Sequence, residues 1–448
     1  MFNQKRKRIK EYNLLREKRN HGSFCNAPNV ALRFHRNGGV QVCCHHIDYY
    51  FLKGKSLKDV WFGAELLEMR KRMKKFDIPD SCNFCASAFY TKNYSNVGAL
   101  SFDYLQPNEN GYPVLMDFSL ENTCNLSCIM CDASLSSSIQ ADKHIKKTYR
   151  NEYYNEKFIE ELKEFYPHLT TTVFTGGEPF LINLYYDIWR DLLEINPDVV
   201  INITTNGTVY NQKIENVLNQ GKFNITVSLD SLIPEKYNQI RKKADFYQTM
   251  ANVEQFAKYC KKANTIFTIT VCPMIINQDD IPDVVNMCNE NGWNFTYNTV
   301  LKPWSQALWS LDSESINRLI QYYRHYEFVE NDENSFANIE KFQSLIKLLD
   351  DWKIKAEKFE KSGLETKELK QIRENAINLI DKTIHTQNGI SVDKKNVDII
   401  INKMPDILIC EKFLDYLDSQ NPQIIAHEFM ENDLDTIVDH LCIVAFNL

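Results

Sequence analysis

Cys124, Cys128 and Cys131 lie within eight residues, in the run Glu121-Asn-Thr-Cys-Asn-Leu-Ser-Cys-Ile-Met-Cys-Asp132. Thiolates are soft ligands for zinc and for iron–sulfur clusters. A structural zinc site takes four protein ligands, and a [4Fe–4S] cluster normally takes four cysteines. Three cysteines in one tight loop therefore describe a cluster with one iron left open for chemistry. The alternative is a zinc knuckle completed by a distant fourth ligand.

Further polar motifs follow. Phe174-Thr-Gly-Gly-Glu-Pro179 places Gly176 and Gly177 where backbone can approach a ligand closely and free its N–H groups. Glu178 offers a carboxylate to an ammonium group, and Pro179 fixes the turn. Alone, the motif also reads as a tight turn with a capping glutamate. In Thr204-Thr-Asn-Gly-Thr208, Asn206 can bind a ribose or build an Asx turn. In Ser228-Leu-Asp-Ser231, Ser228 and Asp230 share one face of an extended chain. Arg241 carries a guanidinium that matches a carboxylate bidentately.

A second group, Cys25, Cys43, Cys44, Cys82 and Cys85, falls in the first 100 residues. Gly38-Gly-Val-Gln-Val-Cys43-Cys44 reads as a hairpin turn and short strand that deliver a ligand. Four thiolates gathered this way fit zinc or an iron–sulfur cluster, and spacing alone does not choose between Cys43 and Cys44. Cys260, Cys272, Cys288, Cys410 and Cys442 are scattered and read as small packed hydrophobes. Of these, Cys272 sits on an expected strand that leads toward the site.

The elements that must position these residues alternate. Strand-like runs cover 113–120, 171–175, 199–205, 223–229, 265–275 and 294–300. Amphipathic stretches lie between them at 155–166, 183–195, 211–220, 234–259 and 281–289. Six such βα units predict a parallel sheet. Right-handed crossovers would curl it into a partial (β/α)6 TIM-like barrel, with an open nucleotide-binding sheet as the alternative. Each motif of the middle block then sits at the carboxyl end of a strand, where active sites of parallel α/β folds lie. The expected division is a cysteine-rich module at 1–100, a barrel at 111–303 and a helical region at 311–448. That last region has helices at 314–326, 336–362, 364–386 and 393–417, with residues 331–335 as a connection.

Composition sets the frame. The chain has 448 residues, 44% of them apolar and 25% charged, which reads as an ordinary globular protein of two or three domains. A net charge of −7 gives no whole-chain case for nucleic acid. No run of 18 apolar residues suggests a membrane span. The start is basic, from Lys5 to Arg8 with Lys10, Arg16, Lys18 and Arg19, and reads as a solvated amphipathic helix or a contact for an acidic partner or RNA. Thirteen cysteines in so large a chain favour metal binding or catalysis over disulfides, in the reducing cytoplasm.

From about residue 112 to 300 these motifs, in this order, resemble the radical S-adenosylmethionine (SAM) superfamily. The resemblance implies that Cys124, Cys128 and Cys131 hold a [4Fe–4S] cluster whose open iron binds SAM. It further implies SAM contacts from Met130, Gly176, Gly177, Glu178, Pro179, Asn206, Ser228, Asp230 and Arg241. Met130 stands where the family usually has an aromatic or bulky apolar residue against the adenine. The first block resembles the auxiliary-cluster modules called SPASM and, in the shorter four-cysteine form, twitch. That implies a second [4Fe–4S] cluster on Cys25, Cys43, Cys82 and Cys85, with zinc as the alternative. The module usually follows the barrel, whereas here it precedes it. The implied activity is reductive cleavage of SAM and hydrogen abstraction from a peptide or protein, giving oxidation, crosslinking or epimerisation. An electron donor such as flavodoxin or ferredoxin would serve it. The other readings are dehydrogenation of a small alcohol or aminosugar, and a non-catalytic zinc or iron–sulfur protein.

Overall fold

The computed structural model describes residues 2–47, 49–145, 153–300 and 303–360. The chain falls into two units. One comprises residues 1–127, 133–228 and 243–268; the other comprises 128–132, 229–242 and 269–448.

The strands in chain order are β1 (Ala31–His35), β2 (Gly39–Gln41), β3 (Tyr50–Phe51), β4 (Leu115–Ser119), β5 (Thr171–Phe174), β6 (Val200–Thr205), β7 (Lys222–Ser228), β8 (Phe267–Val271) and β9 (Asn294–Tyr297). Helices before β4 are α1 (Phe2–Asn13), α2 (Ala27–Val30), α3 (Leu57–Trp61), α4 (Ala64–Lys74) and α5 (Asn83–Tyr90). Then come α6 (Ser137–Asp142), α7 (Glu156–Lys163), α8 (Asn183–Ile195), α9 (Gln212–Leu218), α10 (Pro234–Ile240) and α11 (Phe246–Ala263). The remaining helices are α12 (Ile281–Asn291), α13 (Ser313–His325) and α14 (Glu333–Glu360).

In the first unit the sheet order is β3-β2-β1-β4-β5-β6-β7. β1, β4, β5, β6 and β7 run parallel, while the β1–β2 and β2–β3 pairs are antiparallel. Strict alternation sets the two faces. Phe34, Phe118 and Phe174 stack along one face at centroid distances of 5.2 and 4.8 Å. Phe158 of α7 and Trp189 of α8 close on that row edge-on. Each fully buried ring is worth about 1.5–3 kcal/mol. Asn155, Asn211 and Asp245 cap α7, α9 and α11 by accepting a backbone N–H two or three residues into the helix.

The opposite face of this sheet is polar. Arg33, Asp117, Val173, Asn202 and Asn224 follow one another in register across β1, β4, β5, β6 and β7, and all are half-buried. Parallel sheets are usually apolar on both faces, so this row is a departure.

The amino-terminal block differs from expectation. It adds β1 in parallel to β4, so it extends the sheet. The signal was present in Ala31-Leu-Arg-Phe-His35, where Leu32 and Phe34 alternate with Arg33 and His35. The expected stretch at 234–259 is likewise two helices. α10 ends at Ile240, Lys243 takes a left-handed φ of 76°, and Asp245 caps α11.

The second unit holds most of β8, then α12, β9, α13 and α14. α13 packs on α14 through Leu319, Ile320 and Tyr323 against Phe342, Leu345 and Leu349, all buried; Tyr323 and Phe342 lie 4.8 Å apart. α14 starts at Glu333, inside the expected connection, because Asp332 accepts the Ser335 N–H at 2.8 Å and starts the helix early. The helices expected at 364–386 and 393–417, with Cys410 and Cys442, lie outside the described residues. Among the described residues no helix is long and apolar enough to cross a membrane.

Candidate functional site

Two groups of site residues lie in the first unit. Cys25, Cys43, Cys82 and Cys85 line one cavity of about 340 Å³, mouth included, together with Phe24, Met69, Met73 and His45. Cys25, Cys82 and Cys85 are buried and Cys43 is half-buried, whereas Cys44 is exposed. The backbone N–H of Ala27 donates to the Cys25 sulfur at 3.4 Å. Burial pushes the Cys25 thiol well up, and its neighbours Cys43, Cys85 and Cys82 add to the shift. Burial likewise raises Cys43 to about 11. Cys85 is also raised by burial, against backbone N–H donation from Ala99 and Gly98. Among the described residues no three His, Cys, Asp or Glu side chains converge as a single-ion site. The donor set, four soft sulfurs around an apolar cavity with N–H groups aimed at them, fits an iron–sulfur cluster.

The second group surrounds Cys124. Gly177 N donates to Glu121 O at 3.0 Å, and Glu178 N to Thr123 O at 2.7 Å. The two glycines thus lay their segment against the backbone that leads into Cys124. A Cβ on Gly177 would lie 2.2 Å from Thr123 O; one on Gly176, at φ 116°, would lie 2.7 Å from Glu121 O. Glu178 is 1% exposed. Its Oε1 accepts from Thr205 Oγ1 at 2.7 Å and Phe180 N at 3.2 Å, and its Oε2 accepts from Asn206 N at 2.7 Å. The carboxylate therefore ties the carboxyl ends of β5 and β6 together. Pro179 is buried at the start of the short turn that follows. Asn206 donates to Asn125 Oδ1 at 3.0 Å and stands 3.9 Å from the Cys124 sulfur. Leu126 N–H also donates to that sulfur at 3.5 Å. Burial raises the Cys124 thiol, with the Glu178 charge adding to it and the Leu126 N–H opposing. Ser228 ends β7, half-buried on the polar face.

The second unit holds the rest of the loop. Cys131 N donates to Cys128 O at 3.1 Å, a tight turn that contains the half-buried Met130. Ile129 N donates to Ile240 O at 2.9 Å, which pins the turn to the end of α10. Arg241 follows as the cap residue of α10. Its Nε stands 2.8 Å from Asp230 Oδ2, with the two side chains 7% and 0% exposed. Asp230 Oδ1 accepts the Cys272 N–H at 2.7 Å. Burial is the largest influence and opposes the Arg241 charge, but Asp230 and then Cys128, Tyr237 and Cys272 together outweigh it, so the pKa rises. Asp230 is thus committed to holding Arg241. Burial, then Asp230, raises the Cys272 thiol, whose electrostatic neighbours also include Cys128 and Cys131.

Sequence reasoning passed over four further residues. Thr205 orients Glu178, His45 joins the four-cysteine cavity, and Arg33 pairs with Asp117 at 3.2 Å across β1 and β4. The last pair was legible as polar positions within alternating strands.

The family model described as Radical SAM superfamily matches residues 119–300, the stretch that contains the three-cysteine loop and all three strand-end motifs. Residues 119–300 form a radical SAM domain. Members of this superfamily use a [4Fe–4S] cluster and SAM. Among its relatives, GTP 3′,8-cyclase of Clostridium botulinum (strain Okra / Type B1) is 25% identical over 170 residues, covering 38% of this chain and 50% of the cyclase. The sporulation killing factor maturation protein SkfB of Bacillus subtilis (strain 168) is 24% identical over 280 residues, covering 59% of this chain and 63% of SkfB. The chain spans about half the length of the cyclases that it matches. Similar solved structures include native anSMEcpe with bound AdoMet, at 21% identity, 46% and 58% coverage and a TM-score of 0.35. Streptococcus suis SuiB bound to precursor peptide SuiA is similar at 16% identity, 65% and 66% coverage and a TM-score of 0.34.

Proposed function

We propose that this protein cleaves SAM reductively and abstracts a hydrogen atom from a side chain of a peptide or protein. Cys124, Cys128 and Cys131 are the ligands of the SAM-binding cluster in this reading. Cys25, Cys43, Cys82 and Cys85 hold a second cluster, with Cys44 outside the ligand set because it is exposed. Four sulfurs on one apolar cavity, with no three ligand side chains among the described residues set for a single ion, favour a cluster over zinc, which wants four ligands about 2.3 Å from one point. When bound, the SAM cluster supplies an electron that splits SAM into methionine and a 5′-deoxyadenosyl radical, the species that takes the hydrogen atom.

The chain's own residues bind and orient. Gly176, Gly177, Glu178 and Pro179 form the segment that meets the SAM ammonium, with Glu178 fixed by Thr205 and the Asn206 N–H. Asn206 and Ser228 serve the ribose, and Met130 the adenine. Arg241, held by Asp230, serves the SAM carboxylate. Apolar side chains around the four-cysteine cavity exclude water there. The protein works in the cytoplasm with an external reductant.

One observation carries the peptide reading. The SkfB likeness covers 59% of the chain, which reaches beyond the matched radical SAM domain, whereas the cyclase likeness covers 38%. The polar row of Arg33, Asp117, Asn202 and Asn224 is in keeping with a substrate rich in hydrogen-bonding groups. The test is 5′-deoxyadenosine production with candidate precursor peptides against small alcohols and GTP. Stimulation by GTP or an alcohol, with none by any peptide, would favour the small-molecule reading that the cyclase likeness suggests.

A further inference from the structure

Tyr12 of the amino-terminal helix donates to Phe24 O beside the four-cysteine site, but the basic residues of that helix have no part in the site described above. α1 carries Lys5, Arg6, Lys7, Arg8 and Lys10, with no acidic residue in its first turn. Cations near a helix N-terminus oppose its dipole, and like charges four apart, as in Arg6 and Lys10, repel. The end of α4 is also basic, with Lys71, Arg72 and Lys74 in its last turn and Lys75 as its cap. The fold brings these two elements together: Lys5 Nζ donates to the Lys75 carbonyl at 3.3 Å. Arg6, Lys10, Lys74 and Lys75 are exposed, and none forms an ion pair among the described residues. The whole chain carries −7, so a cationic surface is a local exception. The dipole accounts for the lysines on α4 but not for those on α1. A charge arrangement that local structure disfavours points to a partner.

The other side of the same helix says what kind. Met69 and Met73 of α4 line the four-cysteine cavity, and Phe24 N, next to Cys25, donates to Met73 O at 2.9 Å. α4 therefore carries both buried residues of the thiol cavity, Met69 and Met73, and exposed cations, Lys71 and Lys74, and a helix with its side chains is only about 10–12 Å thick.

We infer that the basic face of α1 and the end of α4 docks a small acidic electron-transfer protein that exchanges electrons with the four-cysteine site. The inference rests on the iron–sulfur reading of that site. In the exchange one electron leaves the carrier and is gained at the site, or the reverse; no bond or proton changes hands. Charge complementarity of this kind raises the association rate and makes binding salt-sensitive.

The test uses the full-length, iron-loaded protein and an acidic flavodoxin as probe, with affinity read from flavin fluorescence anisotropy. The variant R6E/K74E/K75E should weaken flavodoxin binding at least tenfold. Wild-type binding should fall steeply as salt rises to about 0.5 M. Reversal on α11 (K261E/K262E) should change nothing, and bleaching by dithionite should be the same in all three proteins, which shows that they are folded and loaded. Unchanged flavodoxin affinity in R6E/K74E/K75E overturns the inference. So does a surface whose reversal abolishes binding of an RNA oligonucleotide or an acidic peptide but leaves flavodoxin untouched. The cluster reading is scored separately: it fails if the variant C124A/C128A/C131A retains no iron, whatever flavodoxin does.

Discussion

Glu178 has every mark of a ligand-binding carboxylate, yet it is buried and its oxygens accept from Thr205, Phe180 and Asn206. Replacing it by Gln puts an amide N–H₂ against existing donors. Glu178→Gln should cost about 1–3 kcal/mol of stability in urea melts, alongside any loss of SAM cleavage. An unchanged urea midpoint would mean that the carboxylate is not the tie between β5 and β6. Asp230 is the counterpart in the second unit. Asp230→Asn leaves Arg241 buried without its counter-charge and should destabilise by about 3–5 kcal/mol, more than Glu178→Gln does. His35 supplies a pH dependence. Burial and then the Arg33 charge lower its pKa from 6.5 to about 4. The unfolded chain therefore takes up this proton at higher pH than the folded one, so the stability contribution is full above pH 6.5 and is lost progressively down to about pH 4. His35→Gln should flatten that part of a stability-versus-pH curve. At this scale residue types and spacing were legible in the sequence, but partners were not. That Asp230 is committed to Arg241, and that Cys44 faces solvent while Cys43 faces the cavity, depends on side-chain direction in space.

Elements were the most legible level where period-two and helical patterns ran long. Each strand expected in the middle block overlaps an observed one, β7 starting one residue early at Lys222, and the motifs fall at the carboxyl ends of β5, β6 and β7. Two boundaries were missed for physical reasons. β1 is short, and only its parallel pairing with β4 reveals its role. The break between α10 and α11 is made by one left-handed lysine and an aspartate cap inside an otherwise helical pattern. Glycine has an element-scale role as well. Gly177→Ala would drive a Cβ to 2.2 Å from Thr123 O, backbone that cannot yield cheaply. The variant should therefore displace the loop into Cys124 and lower SAM cleavage at least tenfold, with less iron bound per chain. Full iron content with normal cleavage would show that the loop tolerates the shift.

For the molecule as a whole, the two cysteine sets make different demands. The upstream four line one cavity within one unit, and in the proposed reading the downstream three leave a ligand position for SAM. Anaerobically reconstituted protein should hold about eight irons per chain, and C25A/C82A should lower this to about four. Four irons with one zinc in the unmodified protein would instead make the upstream site a zinc centre. The central claim is that the incomplete set starts the chemistry, and 5′-deoxyadenosine formation after anaerobic reconstitution and reduction tests it most directly. The account predicts product from the unmodified chain and none from C124A/C128A/C131A. Product that persists in that variant would contradict it.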